Sequence, residues 1–151
     1  MLEFDGLHKA YGDKQVLEGV SFAVAPGQMF GFCGSNGAGK TTTMRIAMGL
    51  ARADAGEVRW AGRPLDEVTR RRIGYMPEER GLYPKMKVAE QLTYFARLRG
   101  LDGAAAARAA EHWADRLGLG ERRRDQVEKL SLGNQQRVQL AAALVLSLIH
   151  I

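Results

Sequence analysis

Residues 34–43 read GSNGAGKTTT, and this stretch decides the fold. The apolar run MFGFC at 29–33 leads into it and MRIAMGL at 44–50 leads away. Gly34, Gly39, Lys40 and Thr41 fit the spacing GxxxxGK[ST] in the setting that gives the pattern meaning, after a strand-like run and before a helix. Each position answers a chemical demand. Glycines let successive backbone N–H groups converge on one anion, and the helix that follows aims its positive dipole end at the same point. Lys40 adds a compact charge for β and γ phosphates, and Thr41 offers a hydroxyl to Mg²⁺. A tight strand-to-helix turn with no ligand has no use for Lys40. The expected ligand is a nucleoside triphosphate.

The rest of the composition sets bounds. A length of 151 residues is about one ordinary domain, and 46% hydrophobic with 26% charged residues is a globular balance. The net charge of +5 favours phosphate-bearing partners, acidic membrane surfaces or nucleic acid without choosing among them. The single cysteine, Cys33, excludes an internal disulfide, suits a reducing compartment, and reads as a small buried hydrophobe. The start, MLEFDGLHKAYG, places Glu3 and Asp5 where a signal peptide is basic and then apolar. No apolar run reaches about 18 residues, so the chain is expected to be cytoplasmic and not to span a membrane.

Short β-type runs are expected at 2–9, 20–24 and 29–33, divided by turn signals at Gly12-Asp13 and Pro26-Gly27. The third is almost wholly apolar, as a central strand is. Residues 42–50 read as a helix, 57–62 as a strand entering a turn, and 73–76 as a further buried strand. From Pro77 onward the period is helical: Val88, Leu92 and Phe95 recur, as do Ala106, Ala110, Trp113 and Leu117. Phe95 and Trp113 read as core. The alanine-rich segment at 103–110 is a strong helix former. The arginine triplets at 70–72 and 122–124 read as solvated surface, since the interleaved aromatics of a nucleic-acid patch are missing. Asp66-Glu67 follows Arg63-Pro64 and reads as a helix start, and His8, His112 and His150 read as surface residues.

The second informative stretch is LSLGNQQRVQLAAALV at 130–145, where Ser131 and Gly133 precede a helix. Alone it is a capped helix start. Together with the glycine loop it resembles the ABC transporter ATPase family, whose signature is LSGGQ, over residues 1 to 145. Leu132 stands where the family usually has glycine, Asn134 where it has glutamine, and Ser35 where proline is commoner. The resemblance implies an α/β phosphate-loop NTPase fold with a mixed, largely parallel sheet core, an antiparallel β part and a helical subdomain. It places the core at 1–78, the helical subdomain at 79–127 and the signature segment at 130–145, all within one ABC ATPase domain.

The same resemblance implies roles residue by residue. ATP is held by Gly34, Ser35, Asn36, Gly37, Ala38, Gly39, Lys40, Thr41 and Thr42, with Tyr11 in the place of the aromatic that stacks on adenine. Mg²⁺ is held by Thr41 and by Glu78, which stands where the family keeps a glutamine reaching the metal and the attacking water; a carboxylate is also a hard oxygen ligand. Glu78 with GLYPKM at 81–86 looks like cassettes that drive ABC-2 type exporters. Ser131, Gly133 and Asn134 reach the ATP of a second chain, paired head to tail. The implied partners are that second ATPase chain and a transmembrane permease, which holds the protein peripherally on the inner face of the membrane; nucleic acid is not expected. The competing readings are a soluble ABC-type ATPase acting on ribosomes or nucleic acid, and a non-hydrolysing nucleotide-binding module.

Phosphoryl transfer further needs an acid on Mg²⁺ and a residue that orients water. The family supplies them on an apolar strand ending in Asp-Glu after the signature helix, and a later histidine contacts the γ-phosphate. Neither is expected within these 151 residues, so no complete catalytic set is assigned and the fragment is expected to bind ATP weakly without turnover. The tail LSLIHI at 146–151 does not resemble the family's continuation and looks like translated sequencing adapter.

Overall fold

In β1 (Leu2–Tyr11) the buried residues are Phe4 and Leu7, three apart where strict alternation would place them two or four apart. The pairing register shifts between them, at Gly6, and this bulge brings both side chains to the same face. β1 pairs antiparallel with β2 (Lys14–Val24) on one side and with β3 (Ala55–Trp60) on the other; β4 (Arg63–Pro64) completes the order β2-β1-β3-β4. The Gly12-Asp13 turn joins β1 to β2, with Tyr11 opposite Lys14. At Gly56 a Cβ would lie 2.1 Å from the Gly6 carbonyl oxygen, so β3 approaches the bulge where no side chain fits.

The structure is a computed structural model that describes residues 1–78 and 81–146. The chain divides into two compact units, Met1–Arg70 and Arg71–Ile151. Besides the sheet, the first unit holds α1 (Lys40–Ala47), which buries Thr43, Ile46 and Ala47, and the single turn α2 (Glu67–Arg70). The Asp66 carboxylate accepts from the Thr69 N–H at 2.8 Å, so Asp66-Glu67 is a helix start as expected. Arg70 is not a solvated charge: its Nε donates to the Ala47 carbonyl at 3.0 Å and ties α2 to the end of α1.

Two expected strands are absent. Residues 29–33 and 73–76 form no ladder among the described residues, and all the strand pairs there are antiparallel. An apolar run becomes a strand only where a neighbour takes up its N–H and C=O groups, and no described strand lies alongside either. Met29 is consequently 97% exposed, and Cys33, expected to be buried, is exposed on the same unpaired run. Phe30 and Phe32 still find apolar contact, stacking on Phe22 with ring centroids 5.0 Å away.

The second unit is helical. α3 (Val88–Leu98), α4 (Gly103–Arg116) and α5 (Leu132–Leu146) pack around Val88, Leu92, Ala110, Ala114, Val138 and Ala141, with Phe95, Trp113 and Leu117 against them. Small residues on all three helices let the backbones approach, and burying each larger aliphatic side chain stabilises the unit by roughly 1.5–3 kcal/mol. Asp102 caps α4, accepting from the Ala105 N–H at 2.8 Å. His8 and His112 lie at the surface as expected. Arg123 departs from the solvated reading, since it is partly buried and donates to the Gly120 carbonyl at 2.8 Å. Backbone bonds from Val127 N–H to the Met86 carbonyl (3.1 Å) and from Glu128 N–H to the Pro84 carbonyl (2.9 Å) join the approach to α3 with the approach to α5. His150 and residues 147–151 of the suspected foreign tail lie outside the described residues.

Candidate nucleotide site

The loop at 34–39 takes its shape from its glycines. Gly37 and Gly39 have φ of +87° and +84°, in the left-handed region that L side chains rarely adopt. Gly39 is also pressed against β2: a Cβ there would come 2.4 Å from Leu17 Cδ2 and 2.8 Å from the Val16 carbonyl oxygen. Sheet and loop are thus in van der Waals contact at the residue where the helix begins. The Ala38 N–H donates to the Ser35 carbonyl at 3.2 Å, closing the turn. Thr43, fully buried, donates to the Gly39 carbonyl through both its N–H (2.8 Å) and its Oγ1 (3.0 Å), which anchors the first turn of α1.

Charge gathers at the same place. Lys40 Nζ donates to the carbonyls of Gly34 (2.6 Å) and Ser35 (2.7 Å), so its ammonium is folded over the loop. The first-turn N–H groups of a helix have no acceptor within it, and α1 has no acidic residue there to offset its positive end. Residues 34–38 are exposed while Lys40, Thr41 and Thr42 are partly buried, an arrangement open to an incoming anion with its donors backed by protein. Tyr11 stands at the end of β1, beside the β1–β2 turn, 52% exposed with Lys9 Nζ 5.2 Å from its ring centroid. Lys9 is in turn bonded to Asp54 at 2.7 Å. That bond, followed by one from the Ala10 N–H, holds the Asp54 carboxyl below its ordinary value.

The second unit carries the other residues singled out. Ser131 precedes α5; its Oγ accepts from the Asn134 N–H at 3.4 Å and its carbonyl from the Gln135 N–H at 2.9 Å. Gln135 Nε2 donates to the Val127 and Leu130 carbonyls at 3.1 and 3.0 Å, bracing the turn that leads into the helix. Ser131, Leu132 and Gly133 are exposed, and no neighbour lies within 4 Å of a Cβ at Gly133, so this helix start is open to a large ligand. Glu78 is exposed in the same unit. The loop and Tyr11 therefore lie on one unit, and Glu78, Ser131, Gly133 and Asn134 on the other. Two residues that the sequence reading missed are Gln91 and Gln139, buried glutamines on α3 and α5; their signal is a polar amide at positions whose neighbours on the helix face are apolar.

Mg²⁺ fits this chemistry. Among the described residues no group of three His, Cys, Asp or Glu could hold an ion, but Mg²⁺ with a nucleotide needs only one or two protein oxygens beside those of the phosphates. The Thr41 hydroxyl, at the start of α1 behind the loop, is an oxygen of that kind.

A glycine loop ending against a strand, a lysine folded over it and a helix start behind it define a phosphate-loop nucleotide-binding domain. The chain belongs to the ABC transporter family, whose profile matches residues 17–148. It is 43% identical over 145 residues to the uncharacterized ABC transporter ATP-binding protein YhaQ of Bacillus subtilis, covering 96% of this chain and 49% of that one. It is 41% identical over 147 residues to Nod factor export ATP-binding protein I of Paraburkholderia xenovorans (95% and 48%), and 35% identical over 148 residues to linearmycin resistance ATP-binding protein LnrL of Bacillus subtilis (96% and 48%). The chain spans about half the length of these curated relatives. A solved ATP-binding subunit of an ABC transporter superposes with a TM-score of 0.79 at 32% identity, over 96% of this chain and 62% of that one. CbiO1 from Clostridium perfringens, part of the ABC transporter complex cbiONQ, shares the fold with a TM-score of 0.82 at 22% identity, over 96% and 61%. Among the described residues no helix is long and apolar enough to cross a membrane.

Proposed function

We propose that this chain is the nucleotide-binding part of the ATPase that powers a membrane exporter, working as a head-to-tail pair on the inner face of the membrane through a permease. The observation that carries the proposal is the pair of open helix starts, α1 behind the glycine loop with Lys40 above it and α5 behind Ser131 and Gly133. Each presents backbone N–H groups and a positive dipole end, the complement of a phosphate chain gripped from two sides. A relative named for Nod factor export supports export.

On this reading Lys40 Nζ exchanges the Gly34 and Ser35 carbonyls for phosphate oxygens, the N–H groups of 37–42 hold the β-phosphate, and Tyr11 stacks on the base. Thr41 and Glu78 hold Mg²⁺, which when bound neutralises charge on the β and γ phosphates. Ser131, Gly133 and Asn134 close over the γ-phosphate of the partner's ATP. Asp66-Glu67, the one Asp-Glu pair in the sequence, begins a helix on the first unit, so these 151 residues hold ATP without turning it over.

Disulfide trapping tests the pairing. In a Cys33→Ser background, Ser35→Cys and Gly133→Cys chains are mixed and oxidised with and without MgATP. A cross-linked dimer that forms only with MgATP is expected; no cross-link, or one indifferent to nucleotide, overturns the head-to-tail site.

A further inference from the structure

β3 begins at Ala55, whose partner on β1 is His8, so β1 runs three residues past that last pair, to Tyr11. On the other side the ladder to β2 slips between Lys9 and Ala10. A strand end held on so few bonds frays unless its backbone groups find other partners. Asp54, the residue before β3, supplies them. Its N–H donates to the His8 carbonyl at 2.9 Å, and its side chain continues along the same edge of β1: Oδ2 accepts from the Ala10 N–H and Oδ1 from Lys9 Nζ, both at 2.7 Å.

Lys9 is drawn in by that bond. Its side chain is 16% exposed, low for a lysine, and its Nζ lies over the Tyr11 ring, 5.2 Å from the centroid. A cation thus covers one face of a ring that is otherwise half open to solvent. β2 links the ring to the glycine loop, since Tyr11 stands opposite Lys14 and, a little further along the same strand, Val16 and Leu17 press on Gly39.

We propose that Asp54 and Lys9 are positioning residues for the nucleotide: Asp54 fixes Lys9 and the Ala10 backbone, and Lys9 holds one face of the Tyr11 ring so that the other receives the base. The proposal rests on Tyr11 stacking on the base.

An exposed ion pair alone is worth little, because holding two long side chains in one geometry costs entropy. Here a single short carboxylate grips an ammonium and a backbone N–H at once, and both belong to the dipeptide that leads directly into Tyr11. Asparagine at position 54 could still accept from the Ala10 N–H, but without the charge that holds Lys9. Methionine at position 9 keeps the length of the lysine stem and lacks the cation, so the two substitutions cut the chain of contacts at different links.

The test compares ATP with inorganic tripolyphosphate, which carries the phosphates without a base, on this chain and on Lys9→Met, Asp54→Asn and Tyr11→Ala. The quantity read is the ratio of the two affinities, in which any change of attraction for phosphate cancels. Tyr11→Ala is expected to lower the ratio about 5- to 100-fold, the loss of a stacked base. Lys9→Met and Asp54→Asn are each expected to lower it about 3- to 10-fold, what a ring free to turn gives up in being ordered. In a Tyr11→Ala background, Lys9→Met is expected to change the ratio by less than about 1.5-fold, since residues acting through one contact do not add. Where Tyr11→Ala lowers the ratio and folded Lys9→Met or Asp54→Asn leaves it unchanged, the role of that residue is overturned. A fall in Lys9→Met that persists in full without Tyr11 overturns positioning through the ring. An unchanged ratio in Tyr11→Ala overturns the stacking itself, a separate failure. Should Asp54→Asn not fold, Lys9→Met and its double variant with Tyr11→Ala decide.

Discussion

Gly39 rests on Leu17 so closely that a methyl group on its Cα would come 2.4 Å from Leu17 Cδ2. The contact joins β2 to the first residue of the α1 cap, and with a φ of +84° it leaves glycine as the only residue that fits. Loop shape and sheet packing are therefore one constraint. Gly39→Ala is expected to cost about 1–3 kcal/mol from left-handed strain and overpacking, read as a lowered midpoint in urea unfolding. An alanine variant as stable as the unaltered chain contradicts the contact.

Lys40 lies over the loop, bonded to its own carbonyls, and contributes little to the fold there. Lys40→Ala is expected to reduce ATP affinity about 10- to 100-fold, the loss of a charge-assisted bond. It should change unfolding stability by less than about 1 kcal/mol. Fluorescence titration beside a melting curve separates the two effects, and a large fall in stability with unchanged affinity would make Lys40 a structural residue.

Acid should loosen the first unit at one identifiable bond. The Lys9 ammonium, and after it the Ala10 N–H, hold the Asp54 carboxyl below its ordinary 3.8. A carboxyl so lowered stabilises the fold above the unfolded value, and the contribution fades as pH falls through the lower folded value. Asp54→Asn is expected to lower the melting temperature at neutral pH and to flatten its decline on acidification. Parallel melting curves at all pH values count against the bond.

Much of this was legible in the sequence. The glycine loop announces itself because its φ values and charge need particular residue types at fixed spacing, and α3 and α4 because Val88, Leu92, Ala106 and Ala110 repeat at helical period. Residues 29–33 and 73–76 were illegible for a physical reason: apolar character is local, but a strand is a relation to a neighbour. The same gap misplaced Cys33, whose exposure follows from the unpaired run it sits on. Gln91 and Gln139 escaped because a buried amide gains meaning only from the N–H or carbonyl opposite it, which helical period does not disclose: the Tyr83 N–H lies in the approach to α3, and the Pro77 carbonyl is far from Gln139 in sequence.

Ser131 and Gly133 are read as acting on the partner's nucleotide, not on their own chain's. Ser131→Ala is accordingly expected to leave ATP affinity of the monomer within about twofold, since substitutions away from a ligand add independently. It should reduce the yield of the Ser35→Cys and Gly133→Cys cross-link with MgATP. Loss of monomer affinity in Ser131→Ala, with the cross-link intact, would place the residue in its own chain's site.

Isothermal calorimetry of the 151-residue chain with MgATP, beside Lys40→Ala, tests most directly whether residues 34–43 form a triphosphate cradle. Saturable heat from the unaltered chain, lost or strongly weakened in the folded variant, is the expected result. Folded, soluble chain that takes up MgATP with no heat at any temperature tried, or equally well without Lys40, contradicts it.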